Sequence, residues 1–154
     1  REKDYIFKAV GPVSNKFIEN ILSHERKYVR FTGHVDYLAS CLEISNKADV
    51  LIFIGNRGGV QIPAKLYQYL STDIPILFIS QSRNDPSARL CSDLAGIVYV
   101  NQNSRSNMQE QCSELIRNYE HYKSQSLKRK SFIQNSKLSW GELATDFCDI
   151  MVSL

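Results

Sequence analysis

Several signatures are missing from this chain, and each absence removes a class of function. No glycine pattern of the G-x-G-x-x-G or G-x-x-x-x-G-K-[ST] type occurs, so neither the dinucleotide fingerprint nor the P-loop is present. There is no G-x-S-x-G elbow, and no Ser-His-Asp order can be argued. Cys41, Cys91, Cys112 and Cys148 form no C-x-x-C pair. Together with His24, His34 and His121 they show no metal-ligand spacing, so no metal site is expected. Three of the cysteines fall on apolar faces of expected helices and read as buried thiols in a reducing cytosol. No apolar run approaches the roughly 20 residues needed to span a bilayer. The chain opens Arg1-Glu2-Lys3-Asp4, unlike a secretory signal, so a cytoplasmic location is expected, membrane-peripheral at most. Charge of one sign is also scarce. A formal net charge of +3 permits an acidic ligand and gives no reason to expect nucleic acid.

What is present is an alternation of short apolar runs and amphipathic stretches. The 154 residues suit one domain, expected over 1–154. Apolar β runs are expected at Tyr5–Val10, Tyr28–Phe31, Val50–Ile54, Ile76–Ile79 and Ile97–Val100. Helical segments follow each. Ser14 can cap a helix with Phe17, Ile18, Ile21 and Leu22 on one face. Asp36 can cap one carrying Leu38, Cys41 and Leu42 inward. Pro63 suits a first helical turn, Asp85-Pro86 opens another helix, and Ser106 can cap one with Met108, Cys112, Leu115 and Ile116 on one side. From Glu120 to Asn135 the sequence is polar and basic, an exposed connector or frayed helix. Ser139-Trp140-Gly141-Glu142 fits a capping box and starts a final helix within 136–154. Strand–helix alternation of this kind predicts an α/β fold: a three-layer, Rossmann-like domain with a parallel, doubly wound sheet of about five strands and helices on both faces. Val50–Ile54, apolar throughout, reads as a strand covered on both faces.

The most informative stretch runs from Ala48 to Ile79. An apolar strand opens into a loop with Gly55, Gly58 and Gly59, a helix starts at Pro63, and a second apolar strand follows. In parallel sheets that corner, with its free helix N–H groups, is where phosphates bind. The N–H groups near Ala64 and Lys65 would face a ligand there. Lys65 lies in the first turn, where a cation opposes the helix dipole, a placement easier to understand if an anion shares the site. Gln68, one turn on, can hydrogen-bond a sugar hydroxyl, while Leu66 and Leu70 point inward. Gly33-His34-Val35 follows another strand, and its backbone groups can read a nucleobase edge. No carboxylate neighbour is visible to make His34 a catalyst. The basic run Lys123–Lys130 reads as a solvated connector, with an anionic membrane surface as its alternative partner.

Four pieces together carry a resemblance: Phe31-Thr32-Gly33-His34-Val35, Ala48-Asp49-Val50-Leu51-Ile52-Phe53-Ile54, Ile62-Pro63-Ala64-Lys65-Leu66-Tyr67-Gln68-Tyr69-Leu70 and Ile74-Pro75-Ile76-Leu77. In this order and spacing the chain resembles the carboxyl-terminal, donor-binding domain of group 1 (family 4) glycosyltransferases with the two-domain GT-B fold. The likeness is to a bacterial branch tied to surface polysaccharide assembly. It implies a sugar-nucleotide donor, linked to uridine or guanosine diphosphate, with no other cofactor. It implies that Gly33, His34 and Val35 hold the base, that Pro63, Ala64 and Lys65 face the diphosphate, and that Gln68 stands where a glutamate usually bonds the ribose. Retention of anomeric configuration is a further implication. Two departures stand out. Val60 and Gln68 occupy the places of the family's usual glutamate pair. The strand whose Arg and Lys neutralise the diphosphate, and the amino-terminal acceptor domain, are absent from this stretch. The chain is therefore expected to be part of a longer enzyme and inactive alone. A GT-B-type sugar-nucleotide epimerase and a non-catalytic Rossmann-like interaction module are the alternatives. A response-regulator receiver is disfavoured, because the first strand ends without acidic residues.

Overall fold

A computed structural model describes residues 5–21, 23–58, 61–82 and 84–135. The final helix expected within 136–154, and its capping box, lie outside them. Elements follow in the order β1 (Phe7–Ala9), α1 (Asn15–Glu19), a 3-10 turn (Arg26–Tyr28), β2 (Val29–Phe31), α2 (Tyr37–Lys47), β3 (Leu51–Ile54), α3 (Ala64–Leu70), β4 (Ile76–Ser80), α4 (Pro86–Cys91), β5 (Ile97–Asn101), α5 (Arg105–Arg117) and α6 (Tyr119–Gln134). Among the described residues all the strand pairings are parallel, so the fold is α/β and Rossmann-like, as the alternation predicts. The five strands pair as a two-stranded sheet, β1-β2, and a three-stranded one, β3-β4-β5. Residues 1–47 and 48–154 form two compact units.

In the first unit Phe7 lies opposite Val29 and Ala9 opposite Phe31. Past the strand ends Gly11 and Gly33 bridge, and the Gly11 N–H donates to Thr32 Oγ1 at 3.1 Å. The sequence-expected caps are in place: Ser14 accepts from the Phe17 N–H at 3.3 Å and Asp36 from the Ala39 N–H at 2.9 Å. Glu43 on α2 pairs with Lys8 on β1 and with Lys47 one turn on, and the Lys8 hydrogen bond holds its carboxyl below the usual range. The inward face expected for α2 does not form. Leu38 and Leu42 are 66% and 53% exposed, and Cys41 is half-buried. Two strands of three residues offer too little sheet to cover an 11-residue helix, the general difficulty of very small units.

The second unit has a closed core. On one sheet face Phe53, Phe78 and Tyr99 form a tier, with ring centroids 5.1 and 5.3 Å apart, and Tyr69 of α3 meets Phe53 edge-on at 6.5 Å. On the other, Leu77, Val98 and Val100 pack with Leu115 of α5. Helices thus cover both faces, except along β3. There Leu51 and Phe53 are buried, but Ile52 and Ile54 are exposed, Ile54 by 58%. This corrects the expectation that the strand is covered on both sides. In this sheet β3 pairs only with β4, and α5 packs against the far strand, β5.

The largest departure from expectation is α6. The stretch read as a connector or frayed helix is a continuous helix of 16 residues with Ser126, Arg129 and Ile133 buried. Arg129 is 1% exposed. Its Nε donates to Leu70 O at 3.2 Å, Nη1 to Ala95 O and Gly96 O at 3.2 and 3.0 Å, and Nη2 to Thr72 O and Ile74 O at 2.9 and 2.7 Å. These carbonyls precede β4 and β5, so one guanidinium ties the amino edge of the sheet to α6. Burial pushes it down to about 10, still charged at neutral pH. Gly96, with φ +74°, fits because a Cβ there would lie 2.7 Å from Ser126 N and 2.8 Å from Ser126 Cα. Asp73 takes Lys123 at 3.2 Å and Lys130 at 3.7 Å. Partial burial, the largest single influence, opposes its ionisation, but the Lys123 bond, a backbone hydrogen bond and the charges of Lys123 and Lys130 together outweigh it and leave its carboxyl below the usual range. The basic run is therefore woven into the fold rather than presented as a uniform solvated face.

Candidate functional site at the carboxyl end of the second sheet

The corner after β3 is built as a latched loop. The Gly55 N–H donates to Ile79 O at 2.9 Å, and Gly55 O accepts from Gln81 Nε2 at 2.8 Å. Asp85, 2% exposed, accepts from the Asn56 N–H through Oδ2 and from the Ser87 N–H through Oδ1, both at 2.9 Å. It caps α4 and holds the β3 loop with one carboxylate. A side chain at position 55 would put its Cβ 2.2 Å from Asp85 Oδ2, so the glycine is there for close approach. Arg57 donates through Nε to Gln81 Oε1 at 2.9 Å, and Asn56 Nδ2 donates to Gln61 O at 3.1 Å. Gln81 thus grips the loop at both ends of its amide.

The helix that follows starts one residue later than expected. Pro63 is its cap, in extended backbone, rather than its first helical residue, and no side chain caps the turn. The reason is chemical: proline's ring has no oxygen to offer the N–H groups ahead of it. Ala64 and Lys65 are exposed, Gln68 is half-buried, and Leu66, Tyr69 and Leu70 are buried. The first turn contains no acidic residue. Lys65 Nζ lies 5.5 Å from the Tyr69 ring centroid, so its charge rests over the helix's own aromatic.

The remaining expected residues belong to the first unit. Gly33 has φ +68° and forms the bridge to Gly11. His34 is exposed and Val35 half-buried. Pro63, Ala64, Lys65 and Gln68 lie in the second unit.

Neither protein-family models nor curated proteins match this sequence.

Sequence reasoning missed Arg57, Gln81 and Asp85. Asp85 was legible only as a helix cap, and Arg57 only as the basic residue between the loop glycines. Chemically the corner offers uncapped helix N–H groups and the cations Arg57 and Lys65, while the Asp85 carboxylate is occupied by backbone donors. Such a corner suits an anion, and among the described residues it shows no proton-transfer pair. Among the described residues no group of three or more His, Cys, Asp or Glu is placed to hold a metal, and no helix is long and apolar enough to cross a membrane. Cys91 is buried, and burial pushes its thiol up to about 12, which makes it unreactive at neutral pH.

Proposed function

We propose that this chain is the donor-binding half of a sugar-nucleotide-dependent glycosyltransferase of bacterial surface polysaccharide synthesis, working in the cytoplasm as part of a longer enzyme. The observation that carries the reading is the start of α3: uncapped, free of acidic residues and bearing Lys65, directly after the loop that leaves β3. A donor's diphosphate would take the N–H groups of Ala64 and Lys65 beside Pro63. Gln68 would bond the ribose, and Gly33, His34 and Val35 would hold a uridine or guanosine base. Catalysis would be electrostatic, with the leaving diphosphate stabilised by the helix end and the cations. The four sequence pieces of the glycosyltransferase resemblance support the same assignment.

Lys65 must leave Tyr69 to serve. An exposed cation–π contact is worth about 0.5–1 kcal/mol, and a charge-assisted hydrogen bond roughly 1.5–3 kcal/mol, so a diphosphate would win. Titration with uridine, guanosine and adenosine diphosphates and their sugar conjugates should shift backbone amides at 33–35 and 64–68. Lys65→Ala should weaken binding by roughly 1.5–3 kcal/mol, and unchanged affinity would remove Lys65 from the site. A second reading, a non-catalytic interaction module, is favoured by Val60 and Gln68 standing where carboxylates are usual. Silence towards every nucleotide would select it.

A further inference from the structure

The carboxyl ends of β4 and β5, with the first turn of α5, border a half-open cavity of about 380 Å³, within the range of roughly 300–1,000 Å³ usual for small-molecule sites. Its polar lining comes from Ser80, Gln81, Ser82, Asn101, Asn103 and Asn107, and among the described residues no charged side chain contributes. Two of the amides have their orientation dictated by backbone. Asn107 Oδ1 accepts from the Asn101 N–H at 3.0 Å, and Asn101 Oδ1 accepts from the Asn103 N–H at 2.9 Å. A backbone N–H can only donate, so it must meet the oxygen end of each amide, and each NH2 group is turned away from that bond. The Asn107 N–H is itself held by Ser104 Oγ at 3.2 Å, the cap of α5.

The hydroxyls are set in a complementary way. Ser80 Oγ donates to Ser82 O at 3.2 Å, which leaves its lone pairs to accept. Ser82 Oγ accepts from the Asn84 N–H at 3.2 Å, which leaves its proton to donate. Gln81 is spent at both ends on the β3 loop. Tyr99, which also lines the cavity, adds an aromatic surface. The result is a small, uncharged set of fixed donors and acceptors beside an aromatic ring.

We propose that this cavity binds a neutral sugar ring. Hydroxyls that both donate and accept match the Asn101, Asn107, Ser80 and Ser82 groups, and the ring's C–H surface suits Tyr99. A phosphate is the poorer match, because desolvating its charge needs a charged or strongly donating partner. Of the lining residues only Gln81 also serves the corner after β3, where it latches the loop, and none is among the residues proposed to touch the donor, so either proposal can fail without the other.

The test uses the full chain and four probes: glucose, galactose, N-acetylglucosamine and inorganic phosphate. At least one sugar should shift the side-chain NH2 resonances of Asn101 and Asn107, with a dissociation constant of about millimolar order. Asn107→Asp keeps the oxygen that accepts from Asn101 and removes the NH2 donor. It also adds an acid to the first turn of α5, where the helix dipole favours one. Sugar affinity should fall about tenfold or more, a step of roughly 1.4 kcal/mol per decade, with the unfolding midpoint not lowered. Asn101→Asp makes the same exchange at the other amide and serves if the first variant does not fold. The proposal is overturned if no sugar moves these resonances, if phosphate alone moves them, or if the folded Asp variant binds sugar as tightly as the parent.

Discussion

The two units share one grammar, strand then helix, and differ in what it achieves. Among the described residues every buried hydrophobic side chain lies at or beyond Leu51, and no residue of α1 or α2 is buried. In the second unit β4 has a strand on either side, and its Ile76, Leu77 and Phe78 are buried. Periodicity alone therefore makes elements, while burying consecutive residues on both faces of a strand, as along β4, takes cover from the elements around it. The same contrast separates two loops. The loop at Gly55 is locked by Asp85 and Gln81, side chains from beyond the next strand. Gly33–Val35 has the Gly11 bridge and the Thr32 hydroxyl, which donates to Gly33 O at 3.2 Å. The corner after β3 is thus more preorganised than the loop at Gly33–Val35.

The sharpest way to break this contrast is to remove the second unit's tie. Arg129→Met fills similar volume with a side chain that has no N–H donor, leaving the carbonyls of Leu70, Thr72, Ile74, Ala95 and Gly96 short of a partner. Removing one side of a buried charged network costs about 3–5 kcal/mol. Urea unfolding should show a loss of that order. A loss below about 1 kcal/mol, within the range of one ordinary hydrogen bond, would mean that α6 is held by packing alone. Arg129→Lys should not rescue, since an ammonium cannot reproduce the planar fork of donors.

That tie also marks where the chain was and was not legible. The strands could be read because Leu51–Ile54, Ile76–Ser80 and Ile97–Asn101 are short apolar runs rich in β-branched and aromatic residues. The caps Ser14, Asp36 and Asp85 act where they were expected, because a cap is a local bond. For α5 the cap is Ser104 rather than the expected Ser106, an ordinary shift at a helix end. Helix α6 was not legible, because what it buries is largely polar: Ser126 and Arg129 carry no hydrophobic period. At the site, Pro63 announced the helix start. The latch of Gln81 and Asp85 did not announce itself, since its bonds cross 26 and 29 residues and exist only once β4 lies beside β3.

Two glycines offer a finer comparison, because both have positive φ and they differ in crowding. At Gly96 a Cβ would strike the Ser126 backbone, while at Gly33 nothing lies within 4 Å. Gly33→Ala should therefore cost only the left-handed backbone term, about 1–2 kcal/mol. Gly96→Ala should cost that and more, because α6 has to move. Equal losses in thermal unfolding would mean that α6 yields freely at Ser126, and would weaken the view that the amino edge is rigidly tied.

The smallest effect is expected on the open face of α2. Leu38 is 66% exposed, so truncation removes little apolar contact. Leu38→Ala should change stability by no more than about 0.5 kcal/mol, the usual range for surface substitutions. The helix propensity of alanine slightly exceeds that of leucine, which pulls the other way. The matching truncation at Leu77, in the core with Val98, Val100 and Leu115, removes methyl groups that are fully packed and should be much more damaging. Urea unfolding of the two variants under identical conditions checks the pair. A loss at Leu38 approaching that at Leu77 would show that the α2 face is covered in solution, and the division into a packed and an unpacked unit would no longer hold.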